Sequence, residues 1–168
     1  MRHLPMAFAA VLAVAPALAD EPDIPNPNPA IDMQAHIRLT QEAARLRQGR
    51  RLTEEDFLRM SREPDTVVLD ARSAAMYGML HVKGAVNLSY PDFTTESLAR
   101  VIPTRHTRVL IYCNNNFLNS PAFMAKVAPA SLNLSTFATL YMYGYENVYE
   151  LGPLIEIEKS RLEFEPAR

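Results

Sequence analysis

The sequence predicts an α/β layered domain built on a parallel sheet that is covered on both faces. Two observations carry this. Short apolar, β-branched stretches alternate with helix-patterned ones along the chain, and strands that alternate with helices form parallel sheets through crossover connections. One stretch, Val109-Leu110-Ile111-Tyr112, is apolar at every position, as in a strand buried on both faces rather than one. The 168 residues suffice for one domain with a sizeable core.

The first 19 residues stand apart. Met1 to Ala19 carries Arg2 and His3, no acid, an apolar run from Met6 to Ala15 and the small-x-small end Ala17-Leu18-Ala19. This reads as a secretory signal peptide cleaved after Ala19, which places the mature protein in the periplasm or outside the cell. The apolar run is too short to span a bilayer, and no other segment is apolar enough, so the mature chain is not membrane-spanning. Cleavage leaves 16 of the 17 basic residues and all 19 acidic ones, a formal charge of -3. With no basic stripe interleaved with aromatics, nucleic acid is excluded as a partner.

Asp20 to Pro29 has four prolines in ten residues, which forbids helix and sheet interior. It is an extended leader, free or laid along the domain surface. With the helix that follows, Ile31 to Gln48, it makes up an N-terminal region of residues 20–49. Gly49 is a fitting helix stop. Arg45, Arg47, Arg50 and Arg51 cluster there, as a solvated helix end or as a patch for an acidic partner. A short strand at Leu52 follows. Thr53 caps a helix over Glu54 to Ser61 with three acids in its first turn. The pattern then predicts a strand at Thr66–Leu69, a helix at Ser73–Leu80, a strand at Ala85–Leu88, a loop at Tyr90–Asp92, a helix at Thr95–Val101 and the strand Arg108–Tyr112. Ser120-Pro121 is an N-cap followed by a first-turn proline, predicting a helix to about Val127. A further helix, capped by Ser135, runs to about Tyr143 and ends at Gly144. A strand spans Glu146–Leu151. Residues 154–168 form a charged tail with one more strand.

Cys113 is the only cysteine, so no disulfide forms within the chain. It follows the buried strand directly and precedes six uncharged residues. A helix N-terminus at Ser120 would favour a thiolate and an anion. A lone cysteine also serves as a small buried hydrophobe. His36, His81 and His106 are far apart and show no metal-ligand spacing, so no metal is called for. Nothing calls for another cofactor. The five glycines form no phosphate-binding motif. Tyr141, Tyr143, Tyr145 and Tyr149 cluster near the end, as core or as interface anchors.

Four motifs in order resemble the rhodanese-like domain: Val67-Val68-Leu69-Asp70-Ala71-Arg72, Leu80-His81-Val82-Lys83-Gly84-Ala85-Val86-Asn87-Leu88, Val109 to Cys113, and Gly144 to Gly152. The resemblance covers residues 50–153. It implies a three-layer fold with a central, mainly parallel five-stranded sheet and helices on both faces. It also implies that Cys113 is the nucleophile that accepts sulfane sulfur as a persulfide, and that Asn114, Asn115, Asn116, Phe117, Leu118 and Asn119 form the substrate-binding loop. Asp70, Arg72, His81 and Gly84 match positions whose role is structural: Asp70 and Arg72 hold the sheet through polar bonds, and His81 tethers the loop before Ala85.

The departures shape the functional expectation. Family loops often carry cations that hold thiosulfate, whereas the first charge after Cys113 is Lys126. Related cell-cycle phosphatases carry arginine where Asn119 stands, and asparagine cannot replace its charge or its bidentate fork. Phosphatase chemistry is therefore disfavoured. Gly152-Pro153 replaces a glycine pair. The readings that remain are an exported sulfurtransferase or persulfide carrier, acting on a small sulfur-containing anion or a thiol or persulfide partner protein, and a non-catalytic binding module.

Overall fold

The computed structural model describes residues 28–167. The expected signal peptide and most of the proline-rich leader lie outside them. Residues 28–31 form a turn closed by the Ile31 N–H on the Asn28 carbonyl (3.1 Å). The main unit begins at Asp32.

Helix α1 spans Met33–Arg47. Asp32 caps it, its Oδ1 accepting from the Ala35 N–H at 2.8 Å, and Arg45 and Arg47 sit in its last turn, where cations suit the dipole. Strand β1 (Arg51–Leu52) leads into α2 (Glu54–Met60), capped by Thr53 with three acids in its first turn. Then come β2 (Thr66–Asp70), α3 (Ala74–Met79) with Ser73 as its cap, β3 (His81–Val82), β4 (Val86–Asn87), α4 (Thr95–Val101) and β5 (Arg108–Tyr112). Strand β6 (Phe117–Leu118), α5 (Leu132–Met142), β7 (Val148–Leu151), β8 (Ile155–Glu156) and β9 (Phe164–Glu165) complete the order.

The central sheet has five strands, all parallel, in the order β1-β7-β5-β2-β4. Strand β5 lies in the middle, bonded to β2 (Asp70 opposite Tyr112) and to β7 (Val109 opposite Val148). Side chains alternate across a strand, so β5 serves both cores. Val109 and Ile111 pack with Ala43 of α1, Leu98 of α4, and Phe137 and Leu140 of α5. Leu110 and Tyr112 pack with Phe57 and Met60 of α2, Phe117, Phe123 and Leu162. Phe57 is fully buried, which contributes about 1.5–3 kcal/mol.

Two predicted helices are corrected. No helix follows Ser120: the chain makes single 3-10 turns at Pro121–Phe123 and Ala128–Ala130 and is otherwise extended. The helical bond that would join the Lys126 N–H to the Ala122 carbonyl is taken at both ends. Arg72 Nη1 donates to the Ala122 carbonyl (2.8 Å), and the Lys126 N–H donates to Asn115 Oδ1 (3.1 Å). The next helix begins at Leu132 with Ser131, not Ser135, at its N-cap position. The short strands β3 and β6 are also absent from the sequence-based pattern. They pair with the C-terminal stretch, β3 antiparallel to β9 and β6 parallel to β8, so that stretch carries two strands where the sequence predicts one.

Candidate active site around Cys113

Cys113 stands at the carboxyl end of the middle strand. Its residue is 1% exposed, so the sulfur lies beneath the surface rather than open to it. The chain turns immediately: Asn114–Asn116 form one 3-10 turn, closed by the Asn116 N–H on the Cys113 carbonyl (3.1 Å). Asn116 holds this turn. Its Oδ1 accepts from the Cys113 N–H (2.9 Å) and from Asn133 Nδ2 (3.1 Å), while its Nδ2 donates to the Leu151 (2.8 Å) and Pro153 (3.1 Å) carbonyls. All four hydrogen bonds that an asparagine side chain makes are satisfied. The Gly152-Pro153 departure thus sits where Asn116 ties the loop to the end of β7. Gly152 itself allows a close approach, since a Cβ there would lie 2.9 Å from the Leu52 carbonyl oxygen.

The continuous cradle expected over Asn114–Asn119 does not form. Phe117 is core, edge-on to Phe123 and Phe164. Leu118 and Asn119 are exposed. Asn119 occupies a left-handed conformation (φ 63°), which asparagine tolerates better than most residues. Asn115 clamps the passing chain, donating to the Lys126 carbonyl (2.7 Å) and accepting from the Lys126 N–H. Asn114 alone of the loop residues lines the adjoining cleft, and its Oδ1 finds no donor among the described residues.

Ser120 caps only a 3-10 turn, accepting from the Ala122 N–H (3.3 Å). The helix that meets the cysteine is α5. Ser131 Oγ lies 3.4 Å from Cys113 Sγ, and the Ser131 side chain makes no cap bond to its own helix. The Ser131 hydroxyl and the N-terminal end of an 11-residue helix therefore stand beside the sulfur, and a helix end of that kind suits an anion.

A cleft of about 790 Å³ opens at this end of the sheet, lined by Arg72, Met76, Tyr90, Asn114, Met124 and Lys126 among others. It sits outside the carboxyl ends of β2, β4 and β5, where open α/β sheets bind ligands. Lys126 brings a cation to it despite standing 13 positions after Cys113. Ser131, Asn133 and Lys126 are the residues the sequence reading missed. Pro129 just ahead of Ser131 was the available signal for the true start of α5. For Lys126 there was none, because its place depends on an extended path where a helix is predicted.

Asp70 and Arg72 form a buried ion pair, Arg72 Nη2 donating to Asp70 Oδ2 at 2.6 Å with side chains 1% and 0% exposed. Arg72 also donates to the Ala122 and Leu80 carbonyls, and Tyr112 Oη donates to Asp70 Oδ2 (2.5 Å) while accepting from the Val82 N–H. Four segments at the carboxyl end of the sheet meet on this pair. Burial above all, then the Asp70 charge, holds the Tyr112 hydroxyl well above its ordinary pKa. His81 stacks on Tyr77 (3.7 Å between centroids) and its Nδ1–H reaches the Tyr77 carbonyl (2.9 Å). The loop before β4 is held through Tyr77, whose Oη donates to the Ala85 carbonyl (2.8 Å), rather than by His81 directly. Gly84 turns that loop at φ 79°.

Among the described residues no group of three or more His, Cys, Asp or Glu side chains is placed to hold a metal ion, and no helix is long and apolar enough to cross a membrane.

A parallel sheet covered by helices, with a cysteine at the carboxyl end of its middle strand, defines an open α/β class of protein in which ligands bind outside the carboxyl ends of the strands. The rhodanese-like domain model matches residues 53–152, and the chain belongs to that family. The fold is similar to that of the BH2092 protein from Bacillus halodurans, at 19% identity and a TM-score of 0.51 over 79% of this chain and 87% of that one. A rhodanese with anions from E. coli is similar at 22% identity and a TM-score of 0.42, over 61% and 99% of the two chains. The Alr3790 protein from Anabaena sp. is similar at 20% identity and 0.48, over 69% and 82%. No curated protein matches the chain.

Proposed function

We propose that this is an exported sulfur carrier in which Cys113 accepts sulfane sulfur and passes it to a thiol. The observation that carries the reading is the pairing of Cys113 Sγ with Ser131 Oγ at the head of α5 (3.4 Å), beside a cleft with one unpartnered amide oxygen and one lysine. The Cys113 thiolate attacks the outer sulfur of a donor persulfide, R–S–S–H. The donor S–S bond breaks, RS⁻ leaves, and Cys113 carries S–S–H. Attack on that outer sulfur by an acceptor thiolate restores Cys113 and forms the acceptor persulfide, with no net oxidation. The largely apolar cleft walls, with Lys126 as the cation, support a thiol-borne donor over free thiosulfate. Export by Met1–Ala19 belongs to the same reading.

The test is intact mass after incubation of the protein with a persulfide donor. One added sulfur atom that is reversed by a thiol and absent in Cys113→Ser supports the proposal. No added sulfur would sink it. The burial of the thiol favours a second reading, a non-catalytic binding module, and that outcome would select it.

A further inference from the structure

The opposite end of the sheet carries a second site. Arg50 precedes β1, His106 precedes β5 and Asn147 precedes β7. These parallel strands are neighbours, so all three residues meet at their amino ends, the pole away from Cys113. A cleft of about 310 Å³ there is lined by Arg50, Arg105, His106, Gly144, Glu146 and Asn147. The arginines of the N-terminal cluster separate in the structure. Arg47 and Arg51 pair with Glu150, whereas Arg50 lays its guanidinium over the Tyr149 ring (4.5 Å) and touches the Tyr149 hydroxyl. Arg105 lies over the Tyr145 ring (4.4 Å).

Stacking of this kind fixes a guanidinium while leaving in-plane N–H donors available; Arg50 Nη1 donates to Tyr149 Oη and its remaining donors stay open. Among the described residues neither Arg50 nor Arg105 pairs with a carboxylate, and no acceptor takes an Arg105 donor. Gly144, in a left-handed conformation (φ 81°), leaves room for Arg105: a Cβ there would lie 2.9 Å from its Nη1. Asn147 Nδ2 donates to the His106 carbonyl (2.9 Å) and so holds the turn ahead of β5. The cleft contains two held guanidiniums and an imidazole against one carboxylate, Glu146.

We propose that this cleft binds a small tetrahedral oxyanion, a phosphate group, through the free edges of Arg50 and Arg105. The chemistry is that of fork donors on a phosphoryl group, and the site is independent of Cys113 and of any sulfur transfer there.

The experiment is an amide NMR titration of the purified protein with inorganic phosphate, with a phosphate monoester and with chloride at matched ionic strength. For one or both phosphate ligands, saturating shifts at Gly144, His106 and Asn147 are expected, with a dissociation constant on the order of 1 mM. Arg105→Gln and Arg50→Gln should each weaken binding about tenfold, while Arg100→Gln, an exposed arginine outside the cleft, should not. Tighter binding of the monoester assigns the site to a phosphorylated molecule; equal or tighter binding of phosphate assigns it to the free ion. Equal shifts with chloride, no loss in either cleft variant, or shifts confined to Cys113–Asn116 would overturn the proposal. Cys113→Ser should bind as the wild type does.

Discussion

Asp70→Asn tests whether the buried ion pair holds the carboxyl end of the sheet. The change is nearly isosteric, but it removes the countercharge of an arginine whose side chain is 1% exposed. Asp70 Oδ1 accepts from the Arg72 N–H (2.9 Å) and Nε (3.0 Å), and an asparagine Oδ1 retains these. Asp70 Oδ2 accepts from Arg72 Nη2 and Tyr112 Oη, and there an amide NH₂ would face donors. Breaking a buried pair by removing one partner costs about 3–5 kcal/mol, because the other charge stays buried without compensation. Two carbonyls, of Ala122 and Leu80, still serve Arg72, which puts the expected loss at the lower end, about 3 kcal/mol. With a urea slope of roughly 2 kcal/mol per molar, the unfolding midpoint falls by about 1.5 M. Asp70→Leu combined with Arg72→Met removes both charges together and should recover most of that loss. A fall under about 0.5 M for Asp70→Asn, at unchanged slope, would refute the reasoning, since that is what an exposed pair contributes.

Three further outcomes are expected. The raised Tyr112 pKa makes stability pH-dependent at the alkaline end: the contribution is complete below about pH 10, where unfolded tyrosine is protonated, and declines by up to about 1.4 kcal/mol per pH unit above it as the unfolded state alone ionises. Tyr112→Phe removes that slope, and denaturant midpoints from pH 9 upward, compared between the two proteins, isolate it from Tyr77, which burial also pushes up. Asn116→Ala leaves the Cys113 N–H and the Leu151 and Pro153 carbonyls without their partner and should cost about 2–4 kcal/mol in urea unfolding. Asn115→Ala frees the segment that runs from Lys126 to Ser131, and alkylation of Cys113 by iodoacetamide should quicken about tenfold with little loss of global stability; an unchanged rate would show that access to the sulfur does not run through that segment.

Much of the fold was legible because it rests on burial, which leaves a pattern. The run from Val109 to Tyr112 reads as a strand covered on both faces, and Leu110 and Ile111 do enter opposite cores. Thr53 and Gly144 mark helix ends through local chemistry and act at those ends. What escaped depends on partners distant in sequence. The stretch after Ser120 has good helix formers, yet Arg72, 50 residues away from Ala122, and Asn115, 11 away from Lys126, take the groups a helix needs. Two-residue strands such as β3 and β6 are too short for any periodicity to show. Cys113 at a strand end was legible, and so was burial as one reading of a lone cysteine; the Ser131 hydroxyl beside it was not, because Ser131 is placed by that same extended path.

The run of asparagines is where sequence and structure together say most. As a run, Asn114-Asn115-Asn116 with Asn119 reads as one neutral cradle. In the fold the four residues do four different things. Asn116 spends all its bonding capacity on the Cys113 turn and the end of β7, Asn115 spends its own on Lys126, and Asn119 supplies a left-handed turn. Only Asn114 keeps a buried oxygen without a donor, and only Asn114 lines the cleft. Three of the four are therefore accounted for by geometry before any ligand is considered. Under the proposed sulfur-carrier function, Cys113 is left with a smaller set of neighbours: the Asn114 oxygen, the Ser131 hydroxyl, the first turn of α5 and the charge of Lys126. An unpaired acceptor suits a ligand that brings an N–H or S–H donor, and a bare sulfur oxyanion has none.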